Sequence, residues 1–248
     1  MKGEIFFPMV FGLIIILCVF ISTLIRSTFG FGDALIAMPL LAFFIDLKVA
    51  TPLIALIAFF IAIFILIKNW QKVEFKSAWR LIVASWIGIP IGLWYLEDIN
   101  ENVIKLILGF LVLIFSLYNL VKPKLYQLKT EKYAWLFGFV SGILGGAYNT
   151  NGPAIVIYSS LKRWNPQKFR ATLQGCYFAL GILVVIGHAI AGNLTKEVLS
   201  YFLYCLPIVS ISVIIGGRLN RKIPIERFHK YIYITAVRLR FLEYDLTM

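Results

Sequence analysis

The chain has 248 residues, 60% hydrophobic and 15% charged, with 24 Lys and Arg against 12 Asp and Glu for a net charge of +12. Soluble domains carry about 25% charge, so this composition excludes a soluble domain and reads as an all-α polytopic membrane protein, 1–248 forming one transmembrane domain. Nucleic acid is excluded as a partner by where the base sits. It clusters in short stretches between apolar runs: Lys68, Lys72, Lys76 and Arg80; Lys122, Lys124, Lys129 and Lys132; Lys162, Arg163, Lys168 and Arg170; Arg218, Arg221, Lys222, Arg227 and Lys230. Short basic loops between apolar spans face the cytoplasm.

A crossing helix needs roughly 20 apolar residues. In chain order the candidates are 9–26, 51–67, 80–96, 103–121, 133–148, 171–192 and 198–216. Two short apolar pieces, 33–46 and 153–161, follow glycine-rich motifs, and a last candidate, 228–242, meets Arg238 and Arg240. The N-terminal run, from Lys2 to Ile25, has no small-residue cleavage site and reads as a retained first span. With the basic loops inside, Glu97 to Glu101 and Asn193 to Glu197 lie outside. Loops 122–132 and 162–170 are both basic, so the segment between them must go out and come back.

Gly30 to Pro52 and Leu144 to Pro166 resemble each other. At an offset of 114, Gly32 falls on Gly146, Pro39 on Pro153, Leu47-Lys48 on Leu161-Lys162 and Pro52 on Pro166; Gly92 and Gly217 match at 125. The halves are repeat one, 9–121, and repeat two, 133–242. Counting the short pieces, each has five elements, which inverts the second half: an inverted five-plus-five repeat with short interrupted helices after the Gly-rich motifs. Eight full crossings plus re-entrant pieces is the alternative, so the fold has 8–10 membrane segments. Matching interrupted segments in two halves point to a transporter's binding site.

Backbone without helical hydrogen bonds is tolerated at membrane depth only when protein buries it or a cavity adjoins it. Gly142 to Pro153 holds four glycines, two Asn and a Pro between apolar flanks. Asn151 or Gly152 suits an N-cap and Pro153 a first helical turn. A helix starting there turns its free N–H groups and positive dipole end into the membrane, an anion site. In the first half Gly30 and Gly32 precede a helix that Pro39 either kinks or starts. The two N-termini are expected to flank one site. Gly30, Gly32, Gly145, Gly146 and Gly152 unwind the backbone; Asn149, Thr150 and Asn151 offer hydrogen bonds to substrate. The substrate-binding set is these residues with Asp33, Pro39 and Pro153. Gly88, Gly92, Gly216 and Gly217 serve helix packing.

Asp33 has two readings. It is a proton-coupling carboxylate, since an acid taken from water tends to hold its proton, or it is an N-cap or a structural partner for Arg26, seven residues earlier. Tyr148 and Tyr158 flank the second motif as possible donors or as interfacial tyrosines. His188 reads as a solvated residue near an outer end. Cys18, Cys176 and Cys205 lie in apolar spans without metal or disulfide spacing and read as small buried hydrophobes. Nothing matches G-x-S-x-G, HExxH or GxxxxGK[ST], so no enzyme, metal, cofactor or ATP site is expected.

At GFGDALIAMPLL (Gly30 to Leu41) with Ala50-Thr51-Pro52, and at LGGAYNTNGPAIVIY (Leu144 to Tyr158), the chain resembles the sulfite exporter TauE/SafE family. Supporting positions are Gly88, Gly92, Gly216-Gly217-Arg218 and Glu226-Arg227-Phe228. The likeness runs nearly the whole chain, to about Ile234, and departs from the family's further glycines at Asp33 and Ala34. It implies movement of small sulfur-containing anions such as sulfite, thiosulfate or organosulfonates across the cytoplasmic membrane. The expected partners are a small anionic substrate, protons and the lipid bilayer. The rival from another class is a membrane-embedded assembly subunit with no transport of its own.

Overall fold

The computed structural model describes residues 2–95, 127–148 and 151–223. Its elements are helices: α1 Lys2–Phe29, α2 Asp33–Ala42, α3 Leu47–Asn69 with a tighter turn at Trp70–Lys72, α4 Phe75–Tyr95, α5 Tyr133–Tyr148, α6 Gly152–Leu161, α7 Pro166–Ile190 and α8 Lys196–Lys222. Expected spans 103–121 and 228–242 lie outside the described residues, as do Asn149 and Thr150. Among the described residues, Lys48–Lys72, Pro166–Ile190 and Lys196–Lys222 are long and apolar enough to cross a membrane. The helices overrun the apolar runs because polar residues cap them. Asp46 Oδ1 accepts from the Lys48 N–H at 2.8 Å, Asn165 Oδ1 from Lys168 N–H at 2.8 Å, and Thr195 Oγ1 from Val198 N–H at 3.3 Å.

α2 and α6 have ten residues each. At 1.5 Å per residue each rises about 15 Å, half of a hydrocarbon core about 30 Å thick. Neither piece crosses alone. The Leu128 N–H donates to the Leu161 carbonyl at 3.1 Å, so the end of α6 returns to the chain that enters α5. The start of α5 and the end of α6 therefore lie close together.

Element boundaries recur at a spacing other than the letters suggest. Phe29 and Tyr148 end α1 and α5; Asp33 and Gly152 open α2 and α6; Ala42 and Leu161 close them; Leu47 and Pro166 open α3 and α7. Each pair is 119 residues apart, and so are the capping residues Asp46 and Asn165. At the 114-residue match Pro39 is the seventh residue of α2 whereas Pro153 is the second of α6, and Leu47 opens a helix whereas Leu161 closes one. Shared glycines and prolines align letters; hydrogen bonding sets a register five residues away.

The chain gathers into two compact units, Met1–Lys68 with Tyr177–Arg221, and Asn69–Cys176 with Lys222–Met248. In the first, Val19 of α1, Leu41 of α2, Leu53 and Ile61 of α3, and Val209 of α8 are fully buried together. α8 crosses α1 where a methyl group on Gly216 would come within 2.5 Å of Ser27 Cβ, and Asn220 Nδ2 donates to the Thr28 carbonyl at 2.8 Å. In the second unit α4 lies on α5 backbone to backbone. Gly138 and Gly142, one turn apart, face Leu81 and Ser85, Gly88 faces Phe139, and Ser85 Oγ donates to the Gly138 carbonyl at 2.8 Å. Without a hydrophobic force between helices in lipid, such small-residue seams give van der Waals contact its range. Gly88 and Gly216 thus pack helices, as expected, and Gly142 joins them. Cys18, Cys176 and Cys205 are buried free thiols.

Candidate functional site

The first hairpin is built on glycine conformation. α1 stops at Phe29, the Gly30 N–H donates to the Arg26 carbonyl at 2.6 Å, and Gly30 and Gly32 hold φ of 96° and 97°. Side chains other than glycine avoid that left-handed region. Gly32 is the N-cap of α2 and makes no side-chain cap bond. Asp33 is the first residue of α2, where a carboxylate suits the dipole. Its Oδ2 lies 2.5 Å from Arg26 Nη1, with both side chains buried. Seven-residue spacing anticipated this pair on a continuous helix; the helix is in fact broken, and the glycine turn brings Asp33 back to Arg26. Arg26 Nη2 also donates to the Ala58 carbonyl of α3 at 3.2 Å, and its guanidinium lies 5.0 Å over the Tyr177 ring. Pro39 sits inside α2 and does not start it.

The second hairpin is neutral. Gly145 and Gly146 were expected in unwound backbone, but both lie in regular helix, since α5 runs to Tyr148. A methyl on Gly145 would stand 3.0 Å from Asn151 Cβ, so Gly145 makes room for the chain re-entering after the turn. Ser141 Oγ donates to the Asn151 carbonyl at 2.7 Å and holds the tip to α5. Asn151 is the N-cap residue, at φ −79° and ψ −16°, without a side-chain cap bond; Gly152 and Pro153 form the first turn of α6, as the sequence predicts. The opening N–H groups of α6 thus receive nothing from the Asn151 side chain.

An anchor at the base of α6 is missing from the sequence reading. Glu131, in the loop before α5, accepts from Lys162 Nζ at 2.6 Å, from Tyr158 Oη at 2.9 Å and from Ser77 Oγ of α4. Burial alone would raise this carboxyl, but these hydrogen bonds and the Lys162 charge outweigh it and hold Glu131 below its ordinary value of 4.5. Tyr158 is fully buried, and the hydroxyl that donates to Glu131 also lies 3.1 Å from Ser77 Oγ, so it is spent on structure rather than on a ligand. Beside the anchor is an open groove of about 470 Å³ bordered by Glu74, Lys129, Lys162 and Lys168, at the base of α6 and not at its N-terminus. The one hint in sequence was an acid inside an otherwise basic loop. His188 lies at the end of α7, where Asn193 Nδ2 sits 3.2 Å from its Nδ1.

Two ten-residue helices, each following a glycine motif, open without side-chain caps. The model of the family described as Sulfite exporter TauE/SafE matches residues 14–239. The chain belongs to the TauE/SafE family. That makes it a member of a family of membrane anion transporters, and the apolar helices fit membrane residence. Among curated proteins and among solved structures nothing matches the chain.

Proposed function

We propose that this protein is a multi-pass secondary transporter that moves sulfite, thiosulfate or a small organosulfonate across the cytoplasmic membrane, and that each hairpin tip offers a helix N-terminus to an anion. The observation that carries this reading is the pair of ten-residue helices, α2 and α6, each long enough for about half a span and each opening without a side-chain cap. Helix N-termini offer unpaired N–H groups and partial positive charge to an oxyanion. Gly30 and Gly32 shape one tip. Gly145 and Gly146, Gly152 and Pro153 belong to the other, where Asn149, Thr150 and Asn151 are the side-chain donors. Pro39 leaves the carbonyl four residues back without its helical partner, a weak point along α2. The recurrence of boundaries at a spacing of 119 residues supports a duplication, and the halves 9–121 and 133–242 are proposed to be inverted. Uptake of labelled sulfite, thiosulfate and methanesulfonate into proteoliposomes tests the reading. Wild type is expected to carry at least one, and Asn151→Ala to carry it at least tenfold more slowly at equal expression. No flux of any of them from folded protein overturns the proposal.

A further inference from the structure

We infer that Arg26 is the cation that holds the transported anion in the first hairpin, and that Asp33 is a built-in competitor that occupies Arg26 when the anion is absent. The inference rests on the anion-transport reading and names the charge contact within it. A guanidinium stays protonated in a protein, so the buried Arg26 charge requires an anion beside it at all times. In the structure that anion is Asp33, at 2.5 Å.

The surroundings suit exchange. The Ala58 carbonyl and the Tyr177 ring fix the plane of the guanidinium from α3 and α7, and its planar fork of donors matches any oxyanion, carboxylate or sulfonate alike. Asp33 follows Gly30 and Gly32, whose left-handed φ values make the turn that returns it to Arg26. Behind Asp33 the opening N–H groups of α2 lack a side-chain cap. Tyr177 of α7 faces the guanidinium. Among the described residues the cations of α3 and α8, Lys48, Lys68, Lys196, Arg218, Arg221 and Lys222, are exposed.

The charge balance follows. The empty site holds Arg26 positive and Asp33 negative. An arriving monoanion displaces the carboxylate, and a proton bonds to the freed Asp33 oxygen. Arg26 is then paired with the anion and Asp33 is neutral, so the site carries no net charge before or after. One proton is taken up with each anion; a monoanion such as methanesulfonate leaves the site without net charge, and thiosulfate, a dianion, leaves it with one negative charge.

The test is anion binding to purified protein, using methanesulfonate and thiosulfate, whose charges are constant between about pH 5.5 and about pH 8. Wild-type affinity is expected to fall about tenfold per pH unit at the alkaline end, as uptake of one proton requires. Asp33→Asn removes the competitor, so its affinity is expected to be at least tenfold tighter at the alkaline end and independent of pH. The double variant Arg26→Gln/Asp33→Asn leaves no buried charge, keeps its helical circular dichroism and loses binding. If Asp33→Asn fails to fold, the wild-type pH slope and the double variant still decide. Equal affinity and slope in wild type and Asp33→Asn, or undiminished binding by the double variant, overturns the exchange and leaves the anion-transport reading standing. No binding of either anion to folded wild type overturns both.

Discussion

The α1–α2 and α5–α6 hairpins each end in a ten-residue helix that opens without a side-chain cap, yet they are stabilised differently. In α1–α2 the chain turns on two left-handed glycines and closes with a buried ion pair at the tip. In α5–α6 the tip is neutral, held by Ser141 on the Asn151 carbonyl, and the charge is moved to the base, where Glu131 gathers Lys162, Tyr158 and Ser77. The position of Arg26 at the first tip corresponds, 119 residues on, to Gly145 at the second. The first hairpin thus keeps charge at its tip, whereas the second has backbone and space there.

The sharpest break of this comparison is Arg26→Gln. It leaves the Asp33 carboxylate buried without its partner, and truncating one side of a buried pair costs about 3–5 kcal/mol. Thermal unfolding in detergent is expected to show a large loss, with the double variant Arg26→Gln/Asp33→Asn recovering most of it. If the double variant is no more stable than the single one, the pair is not what closes the first tip. Next is Gly32→Ala, which forces a left-handed backbone on a residue with a Cβ at about 1–2 kcal/mol. Gly146→Ala, in the helical end of α5, is expected to change backbone stability much less.

Smaller effects probe the base and tip of the second hairpin. The carboxyl of Glu131 lies below its ordinary value, so its stabilisation is present above about pH 4.5 and is lost as pH falls through the lower folded value. Glu131→Gln is expected to cost about 1 kcal/mol at neutral pH, discounted for partial exposure, and to flatten the acid limb of a stability-against-pH curve. An unchanged acid limb would show that the anchor contributes nothing. Ser141→Ala removes one buried hydrogen bond, worth about 1 kcal/mol. Its expected signature is slower anion flux with little loss of melting temperature.

Much of the fold could be read from the apolar runs, because in lipid the backbone has to satisfy itself within helices. Segment 133–148 and the short piece 153–161 fall nearly on α5 and α6. Helix ends were missed where Asp46, Asn165 and Thr195 cap at polar residues that a count of apolar letters leaves out. Glycine was ambiguous for a physical reason: Gly30 and Gly32 supply positive φ, whereas Gly142 and Gly145 supply close approach inside or beside a helix, and composition alone does not separate the two uses. The Arg26–Asp33 pairing was legible from spacing, though its mechanism was a turn and not a helix face. Glu131 was hidden because its three partners come from residues 77, 158 and 162, which only the fold brings together.

The most direct test of the central claim is anion accumulation in proteoliposomes under an imposed pH gradient, wild type against Asp33→Asn, with labelled thiosulfate and methanesulfonate. The account predicts that the gradient drives accumulation of at least one of them by wild type, and that Asp33→Asn, with its anion held permanently at Arg26, no longer responds to the gradient. Accumulation that responds equally in both proteins would contradict the role of the Arg26–Asp33 pair. Wild-type protein, shown folded, that moves no anion under any gradient would contradict transport itself.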